Sequence, residues 1–302
     1  MARILVSGLL NLETTAKVRG FPIPYYPVDF DFFGVSSSAS GVAFNMAKAL
    51  NALGDSVTLV SMIGQDPAGD LFLSELDHLG ISAAQVHRKL SATPSSVVLY
   101  DDSGRRQIYC DLKDVQETAC TFSPGNVEEA DLVVPCNINF SRPLIDLARA
   151  RGKLIATDVH VLASPDDDYN RQFMECADIL FLSDECVNGD RGDFLRALAA
   201  RYPCRILVMG MGSQGALLHV PAEDLMQHLP ARTVSGVINT VGAGDALFSA
   251  FLHYHLKGLP PLESLDRAQL FAALKIRQAG AAAGFVTEEE LEQAFSAPGN
   301  PG

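Results

Sequence analysis

Apolar and polar stretches alternate along the chain in a way that predicts strands interleaved with helices. Short apolar runs, of the kind that form buried strands, occupy residues 3–6, 57–62, 132–135, 154–157, 179–182 and 206–209. Apolar residues at helical spacing predict helices over 40–54, 70–79, 144–150, 193–201 and 271–285, with a further helix beginning near 246. This rhythm favours a mostly parallel sheet with helices on both faces.

A separate pattern predicts a small β-structured element. Residues 95–100 and 105–110 flank a turn at 101–104, which is a hairpin pattern. Residues 21–27 carry three prolines, which exclude a helix, and residues 28–33 alternate as a strand does. Six aromatic residues lie in this second segment: Phe21, Tyr25, Tyr26, Phe30, Phe32 and Phe33. We expect them to form the element's own core or a dimer interface, and stacking on a nucleobase or sugar face is the alternative.

Composition and charge narrow the class of protein. The 302 residues are 48% hydrophobic and 20% charged, as in ordinary globular proteins. A net charge of −13 argues against nucleic acid or an anionic membrane as a partner. Six cysteines without Cys-x-x-Cys spacing predict buried thiols of a reducing compartment, and no apolar run approaches the roughly 20 residues of a membrane span. We therefore expect a cytoplasmic protein.

The candidate chemistry centres on small residues followed by one carboxylate. A strand-like run at 233–238 leads to Gly242, Ala243, Gly244 and Asp245, where a helical pattern begins. The glycines leave the backbone open, so amide groups at a helix N-terminus can converge on an anion. Asp245 would repel a phosphate, but it can take a proton from a hydroxyl while the amides hold a phosphoryl group. The alternative is a glycine-rich turn with Asp245 as the helix N-cap.

A second set of polar residues follows the first strand. Asn11 and Glu13 come just beyond its end, where side chains of an α/β sheet commonly face the ligand crevice. The alternative makes Asn11 a turn residue and Glu13 a solvated charge.

Two stretches resemble the signatures of the ribokinase-like (PfkB) carbohydrate and nucleoside kinases. Residues 239–245 resemble D-T-x-G-A-G-D, with Asn239 at the only departing position. Residues 40–54 resemble G-G-x-x-x-N-x-A-x-x-L-x-x-L-G, with Ser40 replacing the first glycine. The resemblance implies a three-layer α/β/α sandwich with a mostly parallel central sheet and a small β-sheet lid. It implies one domain over 1–302, with lid segments near 12–38 and 95–113.

The resemblance also implies roles for individual residues. It makes Asp245 the catalytic base and puts the anion hole at Gly242, Ala243 and Gly244. It assigns the acceptor to Asn11, Glu13, Gly41 and Asn45, with Glu13 where the family pattern G-x-x-N-x-D has Asp. Val42 stands where ribokinases proper carry Lys, which weakens ribose as the acceptor. Asp158 closes its strand where ligands bind, as a family Asp does.

Nucleotide and metal contacts are implied in the same way. The stretch 210–215 resembles the nucleotide loop G-S-x-G, which puts Gly212, Ser213, Gly215 and Thr240 at ATP. Its GxGxxG spacing does not indicate a dinucleotide site, because that fingerprint follows the first strand of its unit. Residues 183–186 stand where the family has the motif N-x-x-E, which organises Mg²⁺ in those kinases. Glu185 or Asp184 is the substitute ligand, or else an exposed loop carboxylate.

We therefore expect an ATP-dependent phosphotransferase that acts on a hydroxymethyl group of a small sugar or sugar-like acceptor. ATP and Mg²⁺ are the expected cofactors, and a monovalent cation is a further candidate. The aromatic residues of the lid and Phe44 leave a nucleoside kinase as an alternative function. A homodimer formed through the lid is a candidate assembly. A non-catalytic sugar- or nucleotide-binding relative is the remaining alternative, because Asn239 and residues 183–186 depart from the family pattern.

Overall fold

A computed structural model describes residues 1–103, 105–232, 234–238, 240–278 and 280–297. Within these residues the chain forms thirteen strands: β1 Arg3–Ser7, β2 Asn11–Lys17, β3 Val35–Ser40, β4 Ser56–Gly64, β5 Val86–Leu90, β6 Ser95–Tyr100, β7 Arg106–Asp111, β8 Leu132–Pro135, β9 Leu154–Val161, β10 Ile179–Ser183, β11 Ile206–Gly210, β12 Ala216–Val220 and β13 Leu225–Leu229. The same residues form nine α-helices: α1 Val42–Ala52, α2 Pro67–His78, α3 Pro124–Glu129, α4 Arg142–Arg149, α5 Arg171–Cys176, α6 Arg191–Arg201, α7 Ala243–Leu256, α8 Pro261–Lys275 and α9 Glu288–Ser296.

The central sheet has nine strands in the order β13-β12-β11-β10-β9-β8-β1-β4-β5. The strands from β11 to β5 run parallel, and β12 and β13 add an antiparallel end. Ile4 and Val6 of β1 pack with residues of α1, α7 and α8, whereas Leu5 packs with residues of α4 and α5 on the other face. Strands buried on both faces need continuous apolar runs, which is why the sequence predicts them directly. The three-layer α/β/α sandwich is confirmed.

A second, small sheet has four strands in the order β3-β2-β6-β7. β6 and β7 form the predicted antiparallel hairpin, although Gly104 of its turn lies outside the described residues. β2 pairs with β6 in parallel and with β3 in antiparallel orientation. The small sheet therefore joins residues that follow β1 to residues that follow β5.

The strand predicted over residues 28–33 is wrong. These residues belong to an exposed irregular segment, and the chain enters the small sheet only at β3. An alternating pattern forms a strand when one face is buried, but Phe30, Phe32 and Phe33 are 81%, 86% and 103% exposed. Tyr25 is 87% exposed, so these aromatics do not form the small sheet's own core.

The helix predicted over residues 271–285 ends early. α8 stops at Lys275, and the following residues turn at Gly280 and Gly284, both with positive φ; Ala279 lies outside the described residues. The strand-like run at 233–238 is also wrong, since residues 234–238 form no strand and Thr233 is outside the described residues. Instead, the Ile238 amide donates a hydrogen bond to the Ile276 carbonyl at 2.9 Å.

Two other predictions concern the thiols and the membrane. Cys120, Cys136, Cys176 and Cys204 are buried, as predicted, but Cys110 and Cys186 are exposed. Among the described residues, no helix has the length and apolar character that crossing a membrane requires.

Candidate functional site

The candidate residues gather at the carboxyl ends of the parallel strands. Ser7 at the end of β1 pairs with Pro135 at the end of β8, and Ser183 of β10 pairs with Gly210 of β11. Ligands of open α/β sheets bind at this edge. The small sheet begins beside it, because β2 starts only four residues after β1 ends.

The N-terminus of α7 is the candidate anion site. Gly242 is the N-cap residue with φ 78°, and a Cβ there would lie 2.4 Å from the Ala281 carbonyl oxygen. The Ala243 amide donates to Thr240 O at 3.2 Å, and Ala246 donates the first helical bond, to Gly242 O. The helix thus offers no partner to the amides of Gly244 and Asp245. A Cβ added at Gly244 would meet no atom within 4 Å, so the space in front is open. Asn239 lies outside the described residues.

Asp245 pairs with an asparagine from the other end of the chain. Asn45 Nδ2 of α1 donates to Asp245 Oδ2 at 2.7 Å, across 200 residues of sequence. The N-cap of α7 is Gly242, so the interpretation of Asp245 as an N-cap is wrong. Burial raises the pKa of Asp245, and the Asn45 hydrogen bond opposes this effect. A carboxylate with a raised pKa and one fixed oxygen suits a general base.

Three further ionisable groups act on this carboxyl group. Asp158 in β9 raises the pKa of Asp245, whereas His160 and Lys275 lower it, all less than burial does. The backbone amide of His160, with φ 57°, donates to Asp158 Oδ1 at 2.8 Å. The sequence pointed to Asp158 as a residue at the ligand edge. His160 and Lys275 carry no motif and were missed.

The residues predicted for the acceptor lie in β2 and at the start of α1. Glu13 is only 6% exposed, so its interpretation as a solvated charge is wrong. Ser40 Oγ lies 3.4 Å from Glu13 Oε2 and 3.5 Å from Asn45 Oδ1, which links the two predicted residues. Asn11 Nδ2 donates to Ser96 Oγ at 2.7 Å. Glu13 Oε1 is buried without a hydrogen-bond partner in the described part of the chain.

An unpaired buried oxygen is costly unless a ligand supplies its partner. Burial raises the pKa of Glu13, and the Ser40 hydroxyl opposes this rise. Gly41 has φ 106°, and a Cβ there would lie 2.4 Å from Leu9 O. Only glycine therefore lets α1 begin this close to the backbone that leads into β2.

The predicted nucleotide loop follows β11. Residues 212–214 form a single 3₁₀ turn, in which Gly212 and Ser213 are exposed. Gly215, with φ 98°, packs so tightly that a Cβ would lie 2.0 Å from Leu229 O. Gly210 at the start of this loop faces Leu247 of α7, so the loop lies beside the helix that carries Asp245.

The predicted metal ligand Glu185 lies next to this loop, since the amide of the preceding Asp184 donates to Gly210 O at 3.0 Å. Its exposed carboxylate forms an ion pair with Arg106 of β7 at 3.1 Å, which connects the small sheet to the central one. Asp184 pairs with Arg191 at 2.7 Å. In the described ranges, no group of three or more His, Cys, Asp or Glu side chains could hold a metal ion.

Comparison with known proteins identifies the family. Residues 1–289 match the sequence profile of the pfkB family carbohydrate kinases. The chain belongs to the pfkB family. It is accordingly a kinase of the sugar and nucleoside class, a phosphotransferase.

Individual pfkB relatives match over almost their whole length. The ATP-dependent ribose-1-phosphate kinase of Halopiger xanaduensis is 26% identical over 290 residues, which covers 93% of this chain and 94% of that protein. The structure of a microbiome-derived acarbose kinase has a TM-score of 0.85 at 23% identity, over 98% and 99% of the two chains. A Burkholderia thailandensis nucleoside kinase in complex with inosine has a TM-score of 0.80 at 20% identity, over 97% and 96%. Both structures share the fold.

Proposed function

We propose that this pfkB kinase transfers the γ-phosphoryl group of ATP to a hydroxymethyl group of a small sugar or sugar-like acceptor. The observation that carries the proposal is the pairing of Asn45 with Asp245 directly beside the first amides of α7, which the helix itself leaves without partners. A base and an anion site at one helix terminus are what phosphoryl transfer to a hydroxyl needs.

Asp245 would take the proton from the acceptor hydroxyl as that oxygen attacks the γ-phosphorus. Its Oδ2 accepts from Asn45, which holds the carboxylate in one orientation and would leave Oδ1 for the acceptor. The raised pKa brings its basicity closer to neutral pH, where a base is most effective. Holding the two reactants in line would supply much of the remaining acceleration.

The charge on the phosphoryl group would be stabilised by the loop of Gly242, Ala243 and Gly244. The Gly244 and Asp245 amides point from the positive end of α7, and the open space at Gly244 admits a phosphate oxygen. Gly212, Ser213, Gly215 and Thr240 would line the nucleotide. Mg²⁺, when bound, would neutralise phosphate charge, held largely by the phosphates and water, with Glu185 as its candidate protein ligand.

The acceptor would lie between β2 and α1. Glu13 Oε1 is a buried acceptor without a partner in the described residues, and a sugar hydroxyl would supply the missing donor. Asn11 and Gly41 would contact further hydroxyls at the same edge. The test is ADP release by purified protein with ATP and Mg²⁺, screened against sugars, sugar acids and nucleosides. Turnover with none of these classes would favour the non-catalytic binding relative.

A nucleoside acceptor is the second candidate, because aromatic side chains lie exposed in the segment before β3. Phe44 does not support it: this ring is fully buried and packs edge-on against Phe72 at 5.3 Å. Phe30, Phe32 and Phe33 are free to stack on a base. A homodimer formed through this exposed segment remains a prediction.

The two acceptor classes respond differently to loss of an aromatic ring. For a nucleoside kinase, Phe32→Ala is expected to raise the acceptor KM by about tenfold, since base stacking contributes about 1–3 kcal/mol. A sugar kinase should change little. Acceptor KM values for the wild type and Phe32→Ala, with Phe122→Ala outside this segment as a control, distinguish the two.

Glu13→Gln is expected to lower kcat/KM for the acceptor by roughly one to two decades while ATP affinity stays unchanged. The amide has one accepting oxygen where the carboxylate has two, and a mispaired buried polar group costs about 1–3 kcal/mol. Steady-state kinetics with each substrate varied provides the measurement. The control is Glu117→Gln, which changes an exposed carboxylate. Equal effects on ATP and acceptor would remove Glu13 from the acceptor site.

A further inference from the structure

Lys275 is a fully buried charged residue at the C-terminal end of α8. Its side chain is 0% exposed and continues the buried helix face of Ala268 and Phe271. Its Nζ donates a hydrogen bond to the carbonyl oxygen of Val241, the residue directly before Gly242. An ammonium group is costly to bury unless it has partners. This lysine therefore reaches the backbone of the anion-binding loop from inside the protein.

Two carboxylates, those of Asp245 and Glu13, act on this ammonium group. Burial lowers the pKa of Lys275 to about 8, and the charges of Asp245 and Glu13 oppose the change. Reciprocally, Lys275 lowers the pKa of each carboxyl group, against the larger effect of burial. One internal cation thus serves both the proposed base and the proposed acceptor ligand.

We propose that Lys275 is a built-in monovalent cation of the phosphoryl-transfer site, which fixes the Val241 carbonyl and keeps Asp245 ionised without a bound alkali ion. This inference rests on the proposed function and makes Lys275 a positioning residue. Carbonyl and carboxylate oxygens are the ligands that hard cations prefer. The Lys275 ammonium already takes one such oxygen, and the loop's sequence offers an amide, at Asn239, where related signatures carry an acid.

The first test measures how turnover depends on monovalent cations. The buffer contains tetramethylammonium as its only cation besides Mg²⁺. The wild type is expected to turn over there as fast as with added K⁺ or NH₄⁺. Lys275→Ala should lose at least tenfold in kcat and regain several-fold with K⁺, NH₄⁺ or methylammonium, because these ions fit the vacated space. Lys275→Met, which fills that space without charge, should lose the same activity without rescue. Lys89→Met, at an exposed lysine of β5, is the control.

The pH profile gives a readout that a purely structural role would not move. The groups that act on Asp245 are Asn45, His160, Asp158, Lys275 and the neighbouring Cys136 and Glu13. In the wild type, kcat/KM should rise with pH as Asp245 ionises and fall near pH 8 as Lys275 loses its proton. In Lys275→Met the acidic limb should move to higher pH, because the cation that favours the carboxylate is gone, and the limb near pH 8 should vanish.

Nucleotide binding separates this inference from the proposed function. Calorimetry with a non-hydrolysable ATP analogue in the tetramethylammonium buffer should give equal affinity with or without K⁺ for the wild type. For Lys275→Ala the affinity should depend on K⁺. A wild type that binds the analogue in this way but phosphorylates no acceptor would refute the proposed function alone. Wild-type turnover that requires K⁺, or full K⁺-free activity of a folded Lys275→Met, would overturn the role of Lys275.

Discussion

Asp245→Asn is expected to lower turnover by about 10²–10⁴, the range for removing a general base. The amide has nearly the same shape, and its oxygen can still accept from Asn45, which now donates at 2.7 Å. It cannot take a proton from the acceptor hydroxyl. The fold and nucleotide binding should therefore persist, while kcat falls and the KM for ATP changes little.

The measurement is steady-state kcat together with thermal unfolding and calorimetric binding of an ATP analogue. Asp193→Asn is the matched control, because Asp193 also lies in the first turn of a helix but is exposed at α6. Its turnover should equal that of the wild type. A folded Asp245→Asn with near-normal turnover would end the mechanism proposed for this residue.

Gly242→Ala and Gly244→Val are both expected to lose turnover, but for different physical reasons. At Gly242 the left-handed backbone costs an alanine about 1–2 kcal/mol, and its Cβ would lie 2.4 Å from Ala281 O, so the free energy of unfolding should fall together with kcat. At Gly244 an added Cβ meets no protein atom within 4 Å. Gly244→Val should unfold close to the wild-type temperature yet lose about 10²–10³ in kcat, the cost of losing an anion-hole donor.

Thermal unfolding and kcat, measured on both variants, separate these two effects. Gly152→Ala provides a control for Gly242→Ala, since Gly152 has φ 60° but lies in an open turn away from the site. It should lose some stability and no turnover. If Gly244→Val keeps its turnover and ATP affinity, the loop does not hold the phosphoryl group.

The central sheet was predictable because strands covered on both faces are continuous apolar runs. The end of α8 was not, because residues 279–284 are all small and would suit another helical turn. What stops the helix is tertiary: the chain turns back so that Ala281 packs against Gly242. The strand prediction over residues 28–33 was wrong for a related reason, since an alternating pattern forms a strand only when a second strand or a core covers one face.

The sequence predicted individual residues of the candidate site, but it could not predict how they are arranged. Motif spacing pointed to Asp245 and Asn45 one by one, but their hydrogen bond spans 200 residues and depends on how α1 packs beside α7. Ser40 departs from the family signature, yet its hydroxyl links Glu13 to Asn45. Lys275 left one detectable signal, a charge at a core position of an apolar helical pattern, which spacing alone cannot tell from an exposed lysine.

The pairing of Asn45 with Asp245 joins the two ends of the chain, so the proposed site is complete only after the C-terminal helices are in place. All thirteen described strands precede residue 230, whereas the proposed base, the proposed anion-binding loop and Lys275 follow it. A chain that ends at residue 230 therefore contains every described strand but lacks the proposed base, and the apolar face of the central sheet that α7 and α8 cover stays open. During refolding, turnover is expected to return only once α7 and α8 have docked on this face, so it should not precede the β-sheet signal in circular dichroism.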